Sequence, residues 1–320
     1  MLVLSNAELA DLVMPPTLIG AVEAASVAME SRGAIVPKRL HLPWDENTLL
    51  TMPAVAKMCF GTKVVSVIPQ NAARGFPVTN GLMVLNDRET GLPLAVMNAT
   101  ELTAQRTGAI GALGLKHVTP TDISSVGIIG CGLQGTWQAI FACVVRPVKE
   151  VFCFSRSADR YEKFRSELRQ KVPEVKITSC GNATELLERT RVVITATTSS
   201  EPVLPDEPSL LKGKHFISIG SYRPTMQELP DSVYRLAGRL VIDSEFAREE
   251  VGDVINPVRK CILKEADVFS IGKLVTGQRS VDLSRTTAYK SVGMALYDLY
   301  VAQALYEAAV HKGIGHHIHL

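Results

Sequence analysis

The sequence predicts an α/β protein in which a doubly wound parallel sheet is inserted into a second, discontinuous α+β domain. Three observations predict it. From Ser124 onward apolar strands alternate with helical stretches, the sequence form of a parallel sheet covered by helices on both faces. Between residues 36 and 96 the texture is instead one of short β-prone runs broken by Gly, Pro, Asn and Asp, as in an antiparallel block. Beyond Thr286 a final helical stretch lies after the α/β block and is expected to return to the first domain. The expected division is residues 1–118 plus 286–320 for the outer domain and 119–285 for the inserted one.

In chain order, Leu2 to Leu4 reads as a short strand, and Ser5 with Glu8 has capping-box spacing for a helix stopped near Pro15 and Pro16. A second helix is expected over 17–30, with Leu18, Val22, Ala25 and Ala28 near helical spacing. The runs LLTMPAVA, TKVVSVIP, GLMVLND and LPLAVMN supply the antiparallel block, and 99–116 reads as one long helix leading out of it. The strand VGIIG then runs into glycines and the helical stretch TWQAIFACVV. Further strands are expected at EVFCFS, VKIT, RVVITAT, HFISIG and LVIDS. The last helix carries Val292, Leu296, Leu299, Leu305 and Ala309 on its apolar positions.

Charge and composition narrow the partners. The chain has 320 residues, 34 Lys plus Arg against 32 Asp plus Glu, and a net charge of +2. Such a balance argues against a protein organised around binding nucleic-acid phosphates. No apolar run approaches the ~18 residues of a membrane span. The opening MLVLSNAELADLV lacks a basic leader and carries Glu8 in its hydrophobic stretch, so no secretory signal is expected. The six cysteines, without a CxxC pair, read as reduced thiols of a cytoplasmic protein. His316, His317 and His319 lack a thiol or carboxylate partner in sequence and read as a solvated terminus; no metal is expected.

Gly130-Cys131-Gly132-Leu133-Gln134-Gly135 is a full GxGxxG between a strand and a helix. In that context it is the pyrophosphate loop of a Rossmann-type dinucleotide domain, with the glycines allowing close backbone approach at the positive end of the helix. The following strand should end near the adenosine ribose, where an NAD site usually offers Asp or Glu. This chain offers Ser155-Arg156-Ser157 with Arg160 nearby, a guanidinium flanked by hydroxyls. That favours the 2′-phosphate of NADP(H) over NAD(H), which stays as the alternative.

Several stretches together resemble the ornithine cyclodeaminase and mu-crystallin family: Lys38-Arg39, Met52-Pro53-Ala54, Gly61-Thr62-Lys63, Leu102-Thr103 with Arg106-Thr107, the glycine loop, Thr195-Ala196-Thr197 and Lys290-Ser291-Val292-Gly293. The resemblance covers essentially the whole chain. It implies a homodimer whose discontinuous domain supplies both the dimer interface and the substrate site. It places Arg39 and Lys63 on the substrate carboxylate, with Lys63 beside the reacting carbon. It places Arg106, Leu133, Gln134, Thr197 and Ser291 on the cofactor, and Val292 with Gly293 at the turn beside the nicotinamide. Members act on a carbon bearing nitrogen and carboxylate.

Taken without the resemblance, these residues say less. A small amino or imino acid needs a cation for its carboxylate, which Arg39 could supply. Lys63 leads into the apolar run 64–68, where a lysine ordinarily reads as a solvated strand-edge residue. Arg106 with Thr103 and Thr107 reads as part of a helix face. The chain departs from the cyclodeaminases at Gly220-Ser221-Tyr222-Arg223-Pro224, because they and the related alanine dehydrogenases carry aspartate at the position of Tyr222. A tyrosine, with its pKa near ~10, is a poor base at neutral pH, so cyclodeamination is disfavoured. The Ser-x-Arg-Pro form is closer to the ketimine reductases, with Tyr222 a hydrogen-bond donor and Arg223 a second contact to substrate or cofactor. The expected activity is NAD(P)H-dependent reduction of a cyclic imino acid, Δ1-pyrroline-2-carboxylate to proline and its six-membered homologue. Reductive amination of an oxo acid and ligand binding with little turnover are the alternatives.

Overall fold

A computed structural model describes residues 1–10 and 12–319. The chain forms two compact units, one of Met1–Arg106 with Met294–Leu320 and the other of Thr107–Gly293. These limits differ from the expected 118/119 and 285/286 for two physical reasons. First, Thr287–Lys290 is an internal strand of the inserted unit's sheet. Second, the helix Ala99–Val118 changes allegiance part-way. A Cβ on Gly108, Gly111 or Gly114 would strike Phe141, Gln138 or Tyr289, all in the inserted unit.

The outer unit is built on one sheet. Its strands are β1 (Leu2–Leu4), β2 (Leu40–Trp44), β3 (Asn47–Val55), β4 (Cys59–Val67), β5 (Thr79–Asp87) and β6 (Pro93–Asn98). They run in the order β1-β6-β5-β4-β3-β2. β2 to β6 form an antiparallel meander, while β1 pairs parallel to β6. Alternation puts Met52, Ala54, Cys59, Val65, Met83, Leu85, Ala95 and Met97 on the buried face. The helices Pro15–Glu30 and Ala295–Lys312 pack on each other, and the second also covers β3 to β6.

One expectation fails near the start of this unit. Pro15 and Pro16 do not stop a helix; they open the one that runs to Glu30, because proline lacks the N–H that a first turn leaves unpaired anyway. The capping box of Ser5 and Glu8 is present, but its helix covers only Asn6–Leu9. The C-terminal histidines are solvated, as expected, and their backbone adds a strand that was not expected. His316 and His317 add a short antiparallel strand to β1, opposite Val3 and Leu2, while their side chains stay exposed.

The inserted unit carries an all-parallel sheet of β7 (Ser125–Ile129), β8 (Glu150–Phe154), β9 (Lys176–Ser179), β10 (Val192–Thr195), β11 (His215–Ser218), β12 (Leu240–Ile242), β13 (Val268–Ser270) and β14 (Thr287–Lys290). The order is β13-β12-β14-β11-β10-β7-β8-β9. The chain moves outward from β7 in one direction through β8 and β9, then returns to place β10 on the other side. That reversal between β7 and β10 opens the crevice where doubly wound sheets bind ligands. Apolar strands of this kind are buried on both faces, as β10, β11, β12 and β13 are along their whole length.

Candidate functional site

The glycine loop lies at the switch point, immediately after β7. Gly130 has φ +101°, and a Cβ there would lie 2.6 Å from the carbonyl oxygen of Ala196, just beyond β10. A Cβ on Gly135 would lie 2.0 Å from the Gly130 carbonyl oxygen, so helix and loop touch only because residue 135 is glycine. Gly132 is the N-cap of the helix Leu133–Val145 and supplies no side-chain cap. The first amides of that helix are left for an anion, which the helix dipole also favours. Leu133 is exposed at the helix start, and the Gln134 side-chain oxygen is buried without a hydrogen-bond partner among the described residues. This donor set and close backbone approach fit a dinucleotide pyrophosphate.

At the end of β8, Ser155 and Arg156 follow Phe154 directly. Ser155 Oγ accepts from the Ser157 amide at 3.3 Å, and Ser157 caps the helix Ala158–Lys171 by accepting from the Arg160 amide. Arg156 is exposed. Asp and Glu are both missing from 155–158.

The remaining loops of this unit are held by buried carboxylates that the sequence reading did not single out. Glu228, fully buried, accepts from the Thr197 amide and hydroxyl at 2.7 and 2.8 Å, from the Gly220 amide at 2.7 Å and from the Ser221 amide at 3.3 Å. It thereby ties the loop after β10 to the loop after β11. Asp253 accepts from the Ser221 hydroxyl and from the amides of Glu228 and Leu229. Asp243 accepts from Ser291 Oγ at 2.8 Å and from the amides of Val292 and Gly293 at 3.0 and 2.6 Å. Burial pushes the Asp243 carboxyl up, against these donors and the nearby Lys290. Tyr222 is half-exposed, with the Arg223 guanidinium 5.2 Å from its ring centroid.

The outer unit concentrates charge on the buried face of its sheet. Lys63 is not a strand-edge residue. It lies inside β4 in the row Met52–Lys63–Met83–Met97, and only 2% of it is exposed. Its Nζ donates to Asp298 Oδ1 at 2.7 Å and to Thr103 Oγ1 at 3.3 Å. Arg106 Nε donates to the same Oδ1 at 2.9 Å. Asp298 comes from the first turn of the helix that covers the sheet and is fully buried; its Oδ2 has no partner among the described residues. Arg39, half-buried just before β2, contributes to the field at both Lys63 and Asp298.

Burial pushes the Lys63 ammonium down to about 8, the Asp298 carboxylate opposing that fall and the Arg106 and Arg39 charges deepening it. Burial alone would raise Asp298, but the Arg106 and Lys63 cations outweigh it and hold the carboxyl below its ordinary value. Three cations around one carboxylate leave an excess of positive charge, which suits a small carboxylate ligand.

Thus Lys63 and Arg106 meet on Asp298, Thr103 accepts from Lys63, and Arg106, expected on the cofactor, lies beside Lys63. Asp298 was missed although a signal existed. It is a lone carboxylate on the row Asp298, Val301, Ala302, Leu305 and Ala309, whose spacing marks a buried helix face. Glu228, in the irregular stretch between β11 and the helix Asp231–Ala237, carries no such pattern.

A doubly wound sheet with this glycine loop defines a protein of the dinucleotide-binding α/β class. More specifically, the chain belongs to the ornithine cyclodeaminase/mu-crystallin family, whose pattern it matches over residues 1–313. A Δ1-pyrroline-2-carboxylate reductase of Bacillus cereus is 35% identical over 328 residues, covering 99% of each chain. The structure of the Thermococcus litoralis Δ1-pyrroline-2-carboxylate reductase, in complex with NADH and L-proline, is 30% identical. It superposes with a TM-score of 0.92, covering 99% of this chain and 100% of the other. An archaeal alanine dehydrogenase dimer with bound NAD is also 30% identical, with a TM-score of 0.91 over 100% of this chain and 99% of the other.

Proposed function

We propose that the protein reduces cyclic imino acids with a reduced nicotinamide dinucleotide, taking Δ1-pyrroline-2-carboxylate to proline and its six-membered homologue to pipecolate. The observation that carries this reading is the buried cluster of Lys63 and Arg106 on Asp298, with Arg39 close by. It offers charge for a carboxylate and a titratable ammonium for the adjacent nitrogen.

Arg39 and Arg106 anchor the substrate carboxylate, fixing the C=N carbon in one orientation. The Lys63 ammonium lies where it holds a proton toward the imine nitrogen. The imine carbon receives a hydride, the π-electron pair of C=N moves to nitrogen, and that nitrogen takes or keeps one proton. One imine, one reduced cofactor and one proton give one amino acid and one oxidised cofactor. The cofactor supplies the hydride when bound; Gly130, Gly132 and Gly135 admit its pyrophosphate, and Thr197, Ser291, Val292 and Gly293 line loops held in place for its nicotinamide half. Tyr222 replaces the carboxylate that deamination would need. Arg156, with no carboxylate beside it, favours NADPH over NADH. The protein acts in the cytoplasm as a homodimer.

The test is spectrophotometric. NADPH and NADH oxidation is followed with pyrroline-2-carboxylate, piperideine-2-carboxylate, and pyruvate plus ammonia; ammonia release is followed with ornithine. Rapid oxidation with the two imines and not with pyruvate plus ammonia is expected. Turnover confined to pyruvate plus ammonia, or ammonia release from ornithine at a comparable rate, would overturn the reading.

A further inference from the structure

A buried carboxylate that served stability alone would have both oxygens paired. Asp298 does not: Oδ1 takes both cations, at 2.7 and 2.9 Å, while Oδ2 is buried without a partner among the described residues. Leaving such an oxygen unsatisfied costs stability, so the arrangement calls for another explanation. The surroundings supply one. Lys63 stands in a row of methionines, where an ammonium without a counter-charge would give up its proton. The charged groups facing Lys63 are Asp298 from the covering helix, Arg106 from the helix Ala99–Val118 and Arg39 from the segment before β2. Two of the three are cations and favour a neutral amine. Asp298 is the one that favours the ammonium.

We infer that Asp298 is a positioning residue of this site: through Oδ1 it keeps Lys63 as an ammonium beside two arginines and locks Lys63 and Arg106 into one receptor for the substrate carboxylate. This rests on the proposed imine reduction for its functional meaning, but not for its physical content. Asp298 need touch neither substrate nor cofactor. It sets the charge and direction of the groups that do. Burial depresses Lys63 to about 8, with Asp298 opposing the fall and Arg106 and Arg39 deepening it, so the ammonium holds at neutral pH and is lost as pH rises through about 8.

The experiment is a titration of Lys63 by NMR on protein labelled with 13Cε-lysine, the Lys63 signal being assigned by its loss in Lys63→Met. It is run on wild type, Asp298→Asn and Asp298→Glu, alongside the pH dependence of kcat/KM. In wild type the Lys63 midpoint and the basic limb of kcat/KM should coincide near 8. In Asp298→Asn both should move down by at least about one pH unit, so that activity lost at pH 8 is regained as the pH is lowered. Asp298→Glu, which keeps the charge, should hold both close to wild type. An unmoved Lys63 midpoint in Asp298→Asn would overturn the inference, as would a downward shift in Asp298→Glu as large as that in Asp298→Asn. Should Asp298→Asn fail to fold, Asp298→Ser, which also removes the charge, is read by the same criteria. Shifted midpoints with no turnover of any imine would uphold the role of Asp298 and overturn imine reduction instead.

Discussion

A lysine enclosed by methionine side chains keeps its proton only when a carboxylate compensates for the lost water, and Lys63 has that carboxylate in Asp298. The alternation along β4 could have shown that Lys63 points inward, since Cys59, Gly61, Lys63 and Val65 share one face. The apolar run that begins at Val64 hid this, because it reads as a strand start and turns a mid-strand residue into an edge. Arg39 and Arg106 were legible only through the family resemblance, since neither burial nor a shared partner 192 residues away is visible in sequence. Roles divide accordingly. Lys63→Arg keeps a charge but cannot give up a proton at working pH, so kcat should fall by about a hundredfold with cofactor affinity unchanged. Arg39→Ala removes carboxylate binding common to ground and transition states, so KM should rise by roughly tenfold to a hundredfold, with a smaller loss of kcat. Steady-state kinetics with pyrroline-2-carboxylate measure both. Near-full activity in Lys63→Arg would assign Lys63 to electrostatic anchoring alone.

At the scale of elements, the strand–glycine–helix unit was readable because its chemistry is local: Gly130 and Gly135 are needed for contacts within a few residues and one neighbouring strand. The short strand β14 was not. Its four residues follow an irregular stretch, and its place between β11 and β12 is set by tertiary pairing. The carboxylates Glu228, Asp253 and Asp243 were equally unreadable. Each satisfies backbone amides from loops distant in sequence, a demand that arises only once the strands are side by side. The loop after β8 lends itself to a direct test, because Arg156 is exposed and a substitution there leaves the core alone. Arg156→Ala should weaken NADPH binding by about 1–3 kcal/mol, the loss of a charge-assisted hydrogen bond, and leave NADH binding nearly unchanged. Fluorescence titration with each cofactor reads the difference. Equal effects on both would mean that Arg156 does not meet the phosphate.

For the molecule as a whole, the α/β class and the two kinds of sheet were evident from texture, because parallel strands buried on both faces and antiparallel strands buried on one face differ in pattern. The outer unit's sheet has an open side. Phe60, Val64, Val84 and Val96 point away from the covering helix and are half-buried, Leu82 on the same side is 52% exposed, and β2 is an edge strand exposed throughout. In the proposed homodimer a second copy of the chain would cover this edge and face. Light scattering at micromolar concentration should therefore give twice the chain mass of 34.7 kDa, and a monomer would refute the dimer. No described helix is long and apolar enough to cross a membrane. NADPH deuterated at C4, supplied in each of its two stereospecific forms, is incubated with pyrroline-2-carboxylate, and the proline is analysed by mass spectrometry and NMR. One of the two forms should deliver one deuterium to Cα of proline for each cofactor oxidised; cofactor oxidation without Cα-deuterated proline from either form would contradict hydride transfer to the imine carbon.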